Sequence, residues 1–113
     1  VVTPFGGEAA YRAVADFLDS GQAVDGIFAC SDVIAMATIR ALRERGLSIP
    51  EDVAIVGYDD IALSSYYSPP LTTVRQDCQR GGQELVSRLL EIIQGGKPAP
   101  LMLDTEIVER AST

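Results

Sequence analysis

DVAIVGYDDIALSSYYSPPLTTVRQD, residues 52–77, is the stretch whose reading decides the fold. Val53-Ala54-Ile55-Val56 is a short apolar run of the kind that forms a strand buried on both faces. Gly57-Tyr58 is expected to break that strand, so that Asp59 and Asp60 stand just beyond its carboxyl end. A loop of small residues and tyrosines leads to Pro69-Pro70, and Thr72-Thr73-Val74-Arg75-Gln76 reads as the next strand. Ligands of open α/β sheets bind outside the carboxyl ends of strands, which makes an acidic pair at that place a candidate site.

Working outward, Asp25-Gly26 opens a second apolar run, Ile27-Phe28-Ala29-Cys30, expected as a buried parallel strand. Ser31-Asp32 follows. Ser is a favourable N-cap and Asp suits the positive end of a helix dipole. The helix predicted there runs to about Arg45, with Ala35, Ile39 and Leu42 as its inner stripe and Gly46 as its cap. An earlier helix is predicted from Glu8 to Ser20-Gly21 on the spacing of Ala10, Tyr11, Val14, Phe17 and Leu18, preceded by a Thr3–Gly7 loop. Strands alternating with helices predict a parallel sheet covered on both faces, a three-layer α/β/α sandwich. Right-handed crossovers then bring Ser31-Asp32 and Tyr58-Asp59-Asp60 to one edge of the sheet. Beyond Gln76, a helix is predicted over residues 78–94, with a wide apolar stripe that includes Leu85, Leu89 and Ile93. Leu101 to Glu109 alternates imperfectly, as an edge strand does, and Arg110 to Thr113 reads as a polar tail.

Composition narrows the chemistry. With 113 residues the chain is one domain or a piece of a larger one, and it opens Val1-Val2-Thr3 without Met, so a piece of a longer protein is expected. A net charge of −7 argues against nucleic acid or an anionic membrane as a direct partner of this segment. A neutral polar ligand such as a sugar is compatible. The absence of His removes imidazole catalysis and His-ligated metal, and neither metal nor cofactor is expected. No G-x-S-x-G is present, so an activated nucleophile is not expected. A phosphoacceptor domain would need a Lys at the sheet rim, whereas the sole Lys, Lys97, follows Gly95-Gly96. Cys30 and Cys78 are expected as two free, largely buried thiols of a cytoplasmic protein, with one disulfide as the alternative. No apolar run approaches the roughly 20 residues of a membrane span.

Three stretches together carry a resemblance: ACSDVIAMA at residues 29–37, GLSIPEDVAIVGYDD at 46–60 and PLTTVRQ at 70–76. In order and spacing they resemble LacI/GalR-type bacterial transcriptional regulators. The resemblance covers nearly the whole chain. It implies the C-terminal part of a two-lobed, periplasmic-binding-protein-like effector domain, ending in an edge strand. An N-terminal helix-turn-helix domain and most of the first lobe would lie outside the chain. Residues 1–76 with 100–113 would form the C-terminal lobe, and the helix within 77–99 would cross to the first lobe. Its Leu85/Leu89/Ile93 face would then need another cover: a neighbouring chain, a swapped copy, or this lobe itself.

The resemblance also implies roles. Ser31 and Asp32 fall where family members contact effector, and Asp59 where a carboxylate accepts hydrogen bonds from sugar hydroxyls or base nitrogens. Gln76 and Cys78 fall at the crossing that lines the cleft. Ser31 stands where sugar-binding members often carry Asn, and Cys78 where an aromatic often stacks on ligand. Val33, Met36, Ala37 and Arg40 on the outer face of the second helix, with Leu63, Tyr66 and Tyr67, fall on the dimer surface. The function implied is that of a repressor sensing a small molecule, a sugar or a nucleobase-like effector, as a homodimer that binds operator DNA through the outlying domain. A periplasmic sugar-binding protein of a transporter is the alternative.

Overall fold

The computed structural model describes residues 5–113; the Thr3-Pro4 part of the expected loop lies outside them. The chain divides into two compact units. One comprises the described residues up to Arg75 together with Ile107–Thr113, and the other is Gln76–Glu106.

In the first unit, α1 (Gly7–Asp19), β1 (Gly26–Phe28), α2 (Asp32–Arg43), β2 (Ala54–Tyr58) and β3 (Thr72–Gln76, whose last residue falls in the second unit) follow one another, with a 3-10 turn at Ala62–Ser65. The order in the sheet is β1-β2-β3-β4, where β4 is Thr105–Val108. Both β1–β2 and β2–β3 pair in parallel, with Ile27 opposite Ile55 and Gly57 opposite Thr73. Alternating strands and helices therefore give the open α/β sheet that the hydrophobic pattern predicts. The core is formed by Ala35, Ile39 and Leu42 of α2 against Ala29, Val53, Ile55 and Leu71. The three α2 residues are the expected inner stripe, spaced so that they share one face of the helix. Gly21 and Gly46 follow their helices at φ 78° each, the left-handed conformation that releases the chain from a helix.

The α1 helix packs against α2 rather than standing apart from it. A Cβ at Gly7 would lie 3.6 Å from Val33 Cγ1 and 3.7 Å from Ala37 Cβ. The Tyr11 hydroxyl donates to Glu44, the Arg40 guanidinium lies 4.9 Å from the Tyr11 ring centroid, and Arg45 forms a two-pronged bond to Asp19. The face of α2 expected to point outward is thus the face that meets α1, and Met36 is buried.

Four local expectations are corrected. Gly57 does not break β2 but lies inside it. A Cβ there would overlap Asp32 Oδ1 and come within 2.9 Å of Leu71 Cδ2, so glycine makes room for a carboxylate against the strand. The β1 strand is not buried, because it stands at the end of the sheet, and Phe28 is exposed. Both cysteines are free and exposed: Cys30 follows the inward-facing Ala29, and Cys78 opens α3 on a solvated surface. The last four residues are no loose tail. The fully buried Ser112 accepts from Ile55 N through its carbonyl (2.7 Å), while its hydroxyl donates to Ile55 O (2.6 Å) and accepts from Thr72 N (2.8 Å). The tail supplies strand partners to β2 and to the start of β3, which sequence periodicity over four residues could not register.

In the second unit, Asp77 caps α3 (Cys78–Ile93) by accepting from Arg80 N at 2.9 Å. No residue of α3 is buried, and Leu85, Leu89 and Ile93 are each more than half exposed. Among the described residues of this unit, none covers that face. The β4 strand, whose last two residues belong to the first unit, is shorter than the expected 101–109 span.

Two substitutions test this packing. Ser112→Ala removes the acceptor of Thr72 N and the donor to Ile55 O, and should cost about 1–3 kcal/mol in urea unfolding. Gly57→Ala should cost a similar ~1–3 kcal/mol through overpacking against Asp32 and Leu71. A change below about 0.5 kcal/mol in either variant, the range of ordinary surface substitutions, would contradict the packing described.

Candidate functional site

Ser31 leaves β1 in an extended conformation and caps α2, its hydroxyl accepting from Ile34 N at 3.3 Å. That bond satisfies one of the N–H groups a helix start leaves without a partner. Asp32, the first residue of the helix, is fully buried. Its Oδ2 accepts from Ile61 N at 2.9 Å and from the Ser64 hydroxyl at 2.6 Å, while its Oδ1 accepts from the Thr73 hydroxyl at 2.5 Å. Desolvating a carboxylate costs several kcal/mol unless hydrogen bonds replace water. Here three donors and the positive end of the α2 dipole do so.

These bonds carry the start of α2 onto the segment that follows β2. The two polar tips expected at one edge therefore do meet, and Asp32 is what joins them. The inward direction of its side chain is a finding the sequence did not carry. A Ser-Asp pair opening a helix reads as a cap plus a dipole partner, whatever the Asp faces. The neighbours that reveal the direction are Ser64 and Thr73, both fully buried hydroxyl residues. Thr73 lies in a strand, and Ser64 in a 3-10 turn within a segment that reads as a loop, so neither stands out as a polar partner.

Beyond Gly57-Tyr58 the backbone turns through conformations rare for side chains. Asp59 has φ 110° and Asp60 φ 51°. Non-glycine residues held at such angles cost on the order of 1–3 kcal/mol each and persist only where their surroundings over-determine them. Asp59 N still donates to Val74 O at 2.9 Å, so the turn starts from the β2–β3 ladder. Asp59 is partly exposed. Asp60 is nearly enclosed: its Oδ2 accepts from Arg75 Nε and its Oδ1 from Arg110 Nη2, both at 2.6 Å. Burial by itself pushes the Asp60 carboxyl up, but the hydrogen bonds from Arg110 and then Arg75 outweigh it and hold it below the usual aspartate value. Beside this rim Phe28 and Tyr58 meet edge to face, their ring centroids 6.5 Å apart.

Ser31, Asp32 and Asp59 thus belong to one end of the first unit's sheet. Gln76 and Cys78 are exposed residues of the second unit. Of the residues read as a dimer surface, Leu63 and Tyr66 are exposed, and Val33 is half-exposed beside α1. Arg40 pairs with Glu44, and the Tyr67 hydroxyl donates to Met36 O at 3.2 Å. No cluster of His, Cys, Asp and Glu able to hold a metal ion occurs among the described residues. No helix among them is long and apolar enough to cross a membrane.

This geometry has relatives. Residues 2–113 match the family model of the periplasmic binding protein-like domain. The HTH-type transcriptional regulator CelR of Thermobifida fusca is 39% identical over 102 residues, which are 88% of this chain and 30% of CelR. The HTH-type transcriptional repressor PurR of Haemophilus influenzae is 44% identical over 86 residues, 76% of this chain and 26% of PurR. The chain therefore spans less than a third of the length of these relatives.

Among solved structures, the lac repressor dimer bound to operator and the anti-inducer ONPF superposes with a TM-score of 0.89 at 34% identity, over 96% of this chain and 38% of that one. A complex of the transcriptional regulator CelR with cellobiose gives 0.88 at 37% identity, over 96% and 34%. These similar proteins are transcriptional regulators rather than enzymes or transport proteins. The chain belongs to the periplasmic binding protein-like domain family, and within it is similar to the LacI-type transcriptional regulators.

Proposed function

We propose that this chain is the effector-binding and dimer-forming part of a cytoplasmic LacI-type repressor, and that its effector is a sugar. It binds without transforming its ligand. The observation that carries this reading is the pair of left-handed aspartates beyond β2, on a segment bonded to the start of α2 through Asp32. A carboxylate at the carboxyl end of a parallel strand, on a preorganised turn, is suited to accept hydrogen bonds from adjacent hydroxyls of a neutral polyol. Asp59 takes that part, with Ser31 at the neighbouring helix start. The buried Asp32 acts from behind, through the segment it holds. A sugar suits a chain of net charge −7 better than an anionic ligand does. The cellobiose complex of the similar CelR makes that disaccharide the first probe.

Dimerisation is proposed through the exposed Leu63 and Tyr66, next to Tyr67; of the α2 residues, Met36 is buried and Ala37 faces α1, which leaves only the exposed parts of Val33 and Arg40 for such a contact. Aromatic, partly apolar surface of this kind is enriched at interface centres. Operator DNA is bound outside this acidic segment, through an N-terminal helix-turn-helix. Effector changes operator affinity only as far as it binds the two states of the dimer unequally.

The test is calorimetry on the full-length protein with cellobiose and lactose. Asp59→Asn keeps the shape but removes the charge, and should weaken the preferred sugar by roughly 10- to 100-fold, the loss expected for a charge-assisted hydrogen bond. Its urea midpoint should stay near that of the parent. Equal affinity in parent and variant would contradict the site. Tyr66→Asp should shift the dimer toward monomer in sedimentation, and an unchanged dimer would move the interface elsewhere.

A further inference from the structure

Asp60 is the second aspartate of the turn beyond β2. Its surroundings are more specific than a turn requires. Both carboxylate oxygens are engaged, one by Arg75 and one by Arg110, at 2.6 Å each. The side chain is only 9% exposed, and that of Arg110 16%, so this pair is shielded from the solvent that weakens surface ion pairs. Arg110 is itself fixed. Its Nη1 donates to Leu71 O at 2.7 Å and its backbone N to Thr72 Oγ1 at 2.8 Å. The grip on Asp60 is thereby anchored to the start of β3. The residue gripped lies between Asp59, at φ 110°, and Ile61, whose N–H is held by Asp32.

We infer that Asp60 is a positioning residue: gripped by Arg75 and Arg110, it holds Asp59 in the left-handed turn from which the Asp59 carboxylate meets the sugar. The inference rests on the ligand role proposed above for Asp59. A turn at φ 51° and φ 110° is unfavourable for aspartate on its own, and left to itself the chain would relax it. The two guanidinium bonds tie the carboxylate at the turn's centre to the sheet and remove that freedom before ligand arrives. Ligand then does not bear the cost of ordering the loop. Sequence gives little sign of this, because Arg110 is 50 residues away in the chain and lies in a polar terminal segment.

Two measurements on the full-length protein separate the parts of this inference. Asn tolerates the left-handed conformation but cannot accept two guanidinium bonds as a carboxylate does. In Asp60→Asn, hydrogen exchange of the peptide spanning residues 57–62 should accelerate by about tenfold, while the α2 peptide changes less than about twofold. Arg110→Gln should reproduce that local acceleration. Unchanged exchange at 57–62, or equal acceleration in α2, would overturn the inference.

Cellobiose titrations supply the second reading. Asp60→Asn should weaken binding about tenfold when Asp59 is present and less than about twofold in an Asp59→Asn background, because its effect passes through Asp59. A merely structural role would give the same loss in both backgrounds, and would count against positioning. If Asp59→Asn weakens cellobiose and Asp60→Asn does not, this inference falls alone. If neither variant alters binding while the loop loosens, the ligand role of Asp59 falls first and takes the positioning role with it.

Discussion

A single buried carboxylate, that of Asp32, is the constraint on which the rest of the site depends. It is the first residue of α2, yet it bonds to Ile61 and Ser64 after β2 and to Thr73 in β3. Two separate pieces of chain are thereby fixed relative to the start of one helix. The arrangement works only because β2 carries Gly57 where any side chain would strike the carboxylate. Removing Asp32 would leave a backbone N–H and two buried hydroxyls without their acceptor. Leaving such groups unsatisfied costs more than the net worth of the bonds themselves.

The same logic extends outward in two layers. Asp32 holds Ile61, and the guanidinium pair holds Asp60, so the turn at 59–61 is restrained at its centre and at its far end. Behind it, Ser112 fills the gap in the ladder between β2 and the start of β3. On the proposed function, a rim restrained in this way would leave binding energy to bias the states of a dimer rather than to order a loop.

Much of this was legible in the sequence, for identifiable reasons. The Ala35/Ile39/Leu42 stripe and the Ser31 and Gly46 signals set α2 closely, because helix period and capping are local properties. The convergence of Ser31-Asp32 with Asp59-Asp60 followed from strand order and crossover handedness alone. What escaped was every feature set by a distant partner. Gly57 looked like a strand breaker until Asp32 was placed beside it. Arg110 and Ser112 looked like a tail because their partners lie 38 to 57 residues away. Cys30 was expected inside because cysteine usually is, whereas its place just past an edge strand puts it in solvent. The α2 surface read as outward is met by α1, an orientation that the period of either helix leaves open.

The central claim is that a buried carboxylate holds one mouth of the sheet while a second, Asp59, accepts the ligand there. A crystal structure of the full-length protein with its preferred disaccharide tests it most directly. The account predicts sugar hydroxyls at about 2.5–2.9 Å from the Asp59 carboxylate, with the bonds from Ile61, Ser64 and Thr73 to Asp32 intact. A sugar bound away from the carboxyl end of β2, or reached by Asp59 only after those bonds break, would contradict it.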